Sequence, residues 1–161
     1  MKNKEIIDYV YKSIELLKGE PRPLQHGANE RAFAHRLAVH LEKYFSGWDI
    51  DCEYNKHGTM PKKLEGIKEC DYQRATERIY PDIIVHKRKN DSPREENLLV
   101  IELKKDNECD PCDKMKLELL TRKLGEYRYQ LGLYIDIRGG EFVKTWYSNG
   151  SKKEEDFLIA I

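Results

Sequence analysis

The sequence predicts an α/β protein, a central mixed sheet flanked by helices, and three observations predict it. Apolar residues recur at helical spacing over 4–18, 29–45 and 112–126. Short runs that alternate or stay apolar, at 49–54, 82–87, 97–104, 129–137 and 141–147, read as strands. Turn-forming residues separate them, so the order is α-α-β-β-β-α-β-β.

In the first helix Ile6, Ile7, Val10, Ile14 and Leu17 form one stripe, and Gly19, Pro21 and Pro23 end it. A polar loop over 21–28 follows. The second helix carries Phe33, Leu37, Leu41 and Phe45, with Ala34 and Tyr44 beside them, and Gly47 comes after it. Residues 49–54 alternate as a strand. Residues 55–80 are polar and irregular. A loop that long inside a compact domain calls for a function or a hidden short helix, and 71–77 is the place for one. The strands at 82–87 and 97–104 are joined by a turn containing Asn90, Asp91, Ser92 and Pro93. The third helix holds Met115, Leu117, Leu119, Leu120 and Leu124, with Gly125 near its end. Arg138-Gly139-Gly140 joins the last two strands as a hairpin.

A chain of 161 residues can bury a core of its own, and one domain over 1–161 is expected. Charged residues make up 36% of it, a share that would suit a disordered chain if the apolar residues were not grouped in periodic blocks. Twenty-nine basic residues balance twenty-nine acidic ones. That balance argues against a protein whose main task is to coat nucleic acid, but it leaves room for a local basic face. The longest purely apolar run, Leu98 to Ile101, is far short of a membrane span. Glu5, Asp8 and Glu15 interrupt residues 1–20, so no signal peptide is expected there. A soluble, cytoplasmic protein with no membrane partner follows. Of Cys52, Cys70, Cys109 and Cys112, only the last two have metal-ligand spacing, so isolated thiols are expected rather than disulfides or a zinc site.

The chemistry concentrates at 81–104. Side chains alternate between the faces of a strand, so Leu98, Val100, Glu102 and Lys104 share one face and Leu99, Ile101 and Leu103 the other. Both faces are apolar up to Glu102, which predicts a central, buried strand. A carboxylate and an ammonium emerging together where such a strand ends need a reason, because burying charge is costly. Mg²⁺ supplies one: it takes oxygen ligands, commonly one or two carboxylates plus a substrate phosphate. Asp82, opening the neighbouring strand after Pro81, offers the second carboxylate. Taken singly, Glu102 and Lys104 read better as a solvated edge or an ion pair, and Pro81-Asp82 as a strand start. Their conjunction on adjacent apolar strands favours a site.

Glu30 lies three, seven and eleven residues before Phe33, Leu37 and Leu41, which places it at the end of their stripe. It reads either as a carboxylate aimed toward the core or as an acid at the positive end of a helix. His86 shares the strand face of Asp82 and Ile84, and reads as a site neighbour or a structural histidine. His26, His35, His40 and His57 have no metal spacing, and there is no phosphate-binding glycine loop. Lys62-Lys63, Lys87-Arg88-Lys89 and Lys104-Lys105 are basic clusters, the first two with Tyr54, Tyr72 and Tyr80 near them.

Glu30 on a helix, Pro81-Asp82, and Glu102-Leu103-Lys104 together resemble the PD-(D/E)xK nuclease superfamily with its restriction-endonuclease-like α/β/α core. The order helix, three strands, helix, strand over 28–137 is similar to that core. The resemblance implies a metal-dependent nuclease that hydrolyses phosphodiester bonds, most simply in DNA. Asp82, Glu102 and the Leu103 carbonyl would hold Mg²⁺ or Mn²⁺. Lys104 would orient or activate the attacking water, or stabilise the charged phosphate, and Glu30 would hold metal-bound water or a second ion. Gln130, after Tyr129, would support the site or contact DNA. Phosphate contacts would come from 55–80 and 87–94. No separate DNA-reading part is visible, so a homodimer or a larger defence or repair complex is implied. Two other readings stand beside this one: a nuclease-fold module that binds nucleic acid or protein without cutting, and a nuclease acting on RNA.

Overall fold

A computed structural model of the chain describes residues 1–20, 29–53, 56–57, 60–61, 79–88, 96–105 and 111–160. Its helices are α1 (Asn3–Lys18), α2 (Glu30–Leu41), α3 (Pro111–Leu120) and α4 (Glu155–Ile159). Its strands are β1 (Asp49–Cys52), β2 (Lys56–His57), β3 (Met60–Pro61), β4 (Ile83–Lys87), β5 (Glu96–Lys105), β6 (Leu131–Arg138), β7 (Glu141–Ser148) and β8 (Ser151–Lys153). Six of them form one sheet in the order β1-β4-β5-β6-β7-β8. All neighbours are antiparallel except β5 and β6, which run parallel and are joined through α3. The chain is therefore a mixed α/β protein with a mostly antiparallel sheet. The expected loop over 21–28, the short helix at 71–77, the turn at 90–93 and Lys62-Lys63 lie outside the described residues. Among the described residues no helix is long and apolar enough to cross a membrane.

The two faces of the sheet carry different cores. On one, Ile83, Val85, Leu99, Ile101, Leu103, Leu131, Leu133 and Ile135 meet Ile6, Val10, Ile14 and Leu17 of α1, Phe33, Leu37 and Leu41 of α2, and Leu158 of α4. On the other, Ile84, Val100, Tyr134 and Tyr147 meet Leu117 and Leu120 of α3. Each fully buried Leu, Ile or Phe contributes about 1.5–3 kcal/mol through the area it takes from water. β5 sits between β4 and β6 with apolar residues on both faces, as its composition predicted.

Several expectations are corrected by long-range pairing. Val85 pairs with Leu99 but His86 with Asn97, so β5 holds an extra residue there. This bulge turns Leu98 into the α1–α2 core beside Leu99, away from the Val100 and Glu102 face that strict alternation assigned it. The third helix stops at Leu120, not 126, because the Leu120 carbonyl accepts from the Tyr129 amide at 2.9 Å. A continuing helix would offer that carbonyl to residue 124. Leu124 is instead 99% exposed, despite its helical spacing. The hairpin at Gly139-Gly140 is present, with φ of 54° and 89°. A second one at Asn149-Gly150 (φ 52° and 77°) adds β8, and α4 follows; neither element was expected. Cys52 is a free thiol, but Cys112 is disulfide-bonded, against the expectation of isolated thiols. Its partner lies outside the described residues.

Gly132 sets how closely α3 lies on β6. A Cβ there would meet Thr121 Cγ2 at 3.0 Å and Leu117 Cδ2 and Tyr147 Cβ at 3.3 Å. Gly132→Val should therefore push α3 outward and cost about 2 kcal/mol. Urea denaturation checks this, and a variant as stable as wild type would mean that α3 has room to spare.

Candidate acidic site at the end of the central strand

β5 outruns β4, and its last amides are capped by side chains. Ile83 pairs with Ile101, so Asp82 falls opposite Glu102 at the point where β4 begins. Within one strand residue the N–H and C=O point to the same edge. The Leu103 amide donates to Asp82 Oδ2 at 2.7 Å, and the Lys105 amide to Glu30 Oε1 at 3.2 Å. The Leu103 carbonyl therefore faces the Asp82 side as well. Glu30, the first residue of α2, is brought here because the Asn29 side chain caps that helix, accepting from Ala32 N at 3.0 Å.

Helix α3 supplies two more charged groups. Pro111 starts it, and Asp113 and Lys116 stand one turn apart on its buried side. Lys104 Nζ lies 3.4 Å from Glu30 Oε2 and 3.4 Å from Asp113 Oδ2, tying α2 to α3 across the end of the sheet. Lys116 Nζ lies 2.5 Å from Asp113 Oδ1 and 3.7 Å from Glu102 Oε2. Glu102 and Asp113 are almost wholly buried, at 2% and 3% exposure. The Glu102 Oε1 atom is buried and has no hydrogen-bond partner among the described residues.

These charges disturb one another. Burial raises the Asp82 carboxyl to about 6; the Leu103 amide and the two lysines oppose the rise, and the Asp113 carboxylate adds to it. Burial also lifts Glu102 well above the usual carboxylate range, and Lys116 offsets only part of that. Burial works against the charge on Lys104, but Asp113 and Glu30 outweigh it and hold its pKa above normal. Lys116 is held above normal in the same way, by Glu102 and Asp113.

Asp82, Glu102, Lys104 and Glu30, singled out from the sequence, are thus gathered at one place. Gln130 is not gathered with them. It precedes β6 at the opposite end of the sheet, where its Nε2 donates to Met1 O at 3.0 Å and to Asn3 Oδ1 at 2.8 Å. His86 lies beyond Ile84 on β4, fully buried, with Nε2 2.8 Å from Asp51 Oδ2. Asp113 and Lys116 were missed. The signal was present: stepping back four residues from Leu117 and from Leu120 on the buried stripe reaches Asp113 and Lys116, the reasoning already applied to Glu30.

The donor set suits a hard divalent cation. Among the described residues four carboxylates face two ammonium groups, so this set retains negative charge when all are ionised. Its free acceptors are oxygens, among them Glu102 Oε1. Among the described residues, no three acidic, His or Cys side chains converge closely enough to ligate one ion as they stand, and the Lys116 ammonium lies beside two of the acids. Together the fold and site define a class: an α/β protein with a buried acidic cluster, lysine-bridged, at the carboxyl end of its central strand. No protein-family model, curated protein or solved structure matches the chain.

Proposed function

We propose that this protein is a metal-dependent nuclease of the PD-(D/E)xK type, hydrolysing phosphodiester bonds in DNA on a restriction-endonuclease-like core. The observation that carries the reading is the pairing of half-buried Asp82 with buried Glu102, with Lys104 on the same strand end. Within the main sheet the succession α2, β1, β4, β5, α3, β6 supports it, since it follows the order of that core, with the short strands β2 and β3 inserted between β1 and β4 as a separate pair.

In this reading Asp82, Glu102 and the Leu103 carbonyl hold Mg²⁺ or Mn²⁺. The bound ion supplies Lewis-acid polarisation of the phosphate and acidifies a water. The Leu103 amide fixes Asp82 by holding one of its oxygens, which leaves the other to face the site. Glu30 and Asp113 hold the Lys104 ammonium in place, where it orients the attacking water and offsets charge growing on the phosphate. The water oxygen bonds to phosphorus and gives up one proton to solvent, the P–O ester bond breaks, and the departing oxygen takes up one proton from solvent. Nucleic acid is the partner, and a homodimer or a larger defence or repair assembly would serve double-strand cleavage.

One observation favours a second reading. Lys116 already partners Asp113 and lies near Glu102, as a structural ion pair would in a module that binds without cutting. Cleavage of supercoiled plasmid, single-stranded DNA and RNA, each with Mg²⁺, Mn²⁺ or EDTA, separates the two. Metal-dependent cutting of DNA should fall by about a hundredfold or more in Lys104→Ala. Undiminished cutting in that variant would exclude this site. No cutting, together with no Mg²⁺-linked thermal shift, would favour the binding module, and cutting of RNA alone would change the substrate class.

A further inference from the structure

We infer that the Lys116 ammonium fills a cation position between Glu102 and Asp113, and that a divalent cation binds there only by displacing it. Asp113 thereby becomes a ligand to that cation, and Lys116 a built-in competitor that lowers the protein's affinity for metal. The inference rests on the metal-dependent reading above and adds a ligand and a regulator to it.

The division of oxygens points this way. Asp113 gives Oδ1 to Lys116 at 2.5 Å and Oδ2 to Lys104 at 3.4 Å. Removing Lys116 from the cluster frees Oδ1 while Lys104 still holds the other oxygen. Glu102 is less well served. Its Oε2 lies 3.7 Å from Lys116, too far for a hydrogen bond, and its Oε1, although buried, has no partner among the described residues. One ammonium therefore leaves the pair of acids under-satisfied, and an ion of twice the charge with several open ligand positions would satisfy it better.

Displacement is structurally easy. The Lys116 side chain is 22% exposed, whereas those of Glu102 and Asp113 are 3% and 5% exposed. Its four-carbon stem can carry the ammonium outward to water while the helix stays in place. Lys104 is equally exposed, at 21%, but it bridges Glu30 of α2 and Asp113 of α3, so its departure would break the tie between two helices and it would stay. The cluster thus has one fixed lysine and one that can leave.

Mn²⁺ binding tests this, read by isothermal titration calorimetry and by the electron paramagnetic resonance signal of free Mn²⁺. Lys116→Met keeps most of the length of the side chain, one atom short, and removes its charge. It should bind Mn²⁺ about tenfold more tightly than wild type, because a close positive charge no longer opposes the ion. Adding Asp113→Asn to that variant should abolish the gain. Should Lys116→Met fold poorly in EDTA, Lys116→Gln keeps a neutral donor for Asp113 and serves the same comparison. Its melting temperature should then rise more with Mn²⁺ than that of wild type. Unchanged or weaker Mn²⁺ binding in the Lys116 variants, or a gain that survives Asp113→Asn, would overturn the inference. If wild type still binds Mn²⁺ and cuts DNA in that case, the nuclease reading stands. No Mn²⁺ binding by any variant would overturn both.

Discussion

Glu102→Gln is expected to lower metal-dependent cleavage by about a thousandfold, close to 4 kcal/mol of transition-state stabilisation. The substitution keeps the shape and hydrogen-bonding length of the side chain but removes the charge that would hold the cation. Its effect on stability should run the other way. Glu102 is pushed well above the usual carboxylate range chiefly by burial, which means that its surroundings favour a neutral group. Gln at this position satisfies that preference at every pH, so the metal-free variant should be at least as stable as wild type at pH 8. A variant that folds and cuts normally would remove Glu102 from the site. Loss of cutting through unfolding would show in the melting curve, and it would contradict the preference for a neutral side chain.

Metal-free protein should be less stable at pH 8 than at pH 5. The Asp82 carboxyl rises from an ordinary 3.8 to about 6, and Glu102 rises further above its own ordinary value. Both therefore bind a proton more tightly in the folded state than in the unfolded one. Stability is highest while both states are protonated. It falls as pH climbs from the unfolded value near 4 through the folded value, because the native state must then ionise buried groups. A rise of roughly two pH units for Asp82 corresponds to a loss of about 3 kcal/mol over the whole window, roughly half of it between pH 5 and pH 8. Asp51 and Glu20 behave oppositely: burial works to raise Asp51, but its bonds to Arg88 and His86 outweigh it, and the bond to Arg36 holds Glu20 below normal. Their contribution is lost only below the ordinary carboxylate range, outside this window. Urea denaturation in EDTA at the two pH values checks the sign, and Asp82→Asn should flatten the slope. Stability that rises or stays level from pH 5 to 8 would refute the burial argument. Mn²⁺ at pH 8 should restore the difference by offsetting the ionised carboxylates.

Much of the site was legible because it depends on local periods. Alternation along β5 put Glu102 and Lys104 on one face, and helical spacing aimed Glu30 at the core. Asp113 and Lys116 obeyed the same rule on α3, but a charged pair at the start of a leucine-rich helix also reads as a solvated first turn. What separates the two readings is the presence of Glu102 beneath them, which depends on α3 crossing from β5 to β6. Gln130 shows the limit from the other side. Its distance in sequence from Lys104 says nothing of which end of a parallel strand it occupies, and it lies at the end where β6 begins.

By itself the sequence determined the alternation of helices and strands, the central place of β5, the hairpin at Gly139-Gly140 and the conjunction of Asp82 with Glu102. These follow from side-chain periods of 2 and 3.6 and from backbone preferences that each segment carries wherever it lies. Only the tertiary structure decided the bulge that turns Leu98 inward and the end of α3 at Leu120. It alone also decided the arrival of Lys116 beside the acids and the separation of Gln130 and His86 from them. Each of these turns on a partner distant in the chain: Val85 for Leu99, the Tyr129 amide for the Leu120 carbonyl, Glu102 for Lys116, and Asn3 for Gln130. A local pattern states which groups need a partner, and the folded chain alone states which partner is in reach.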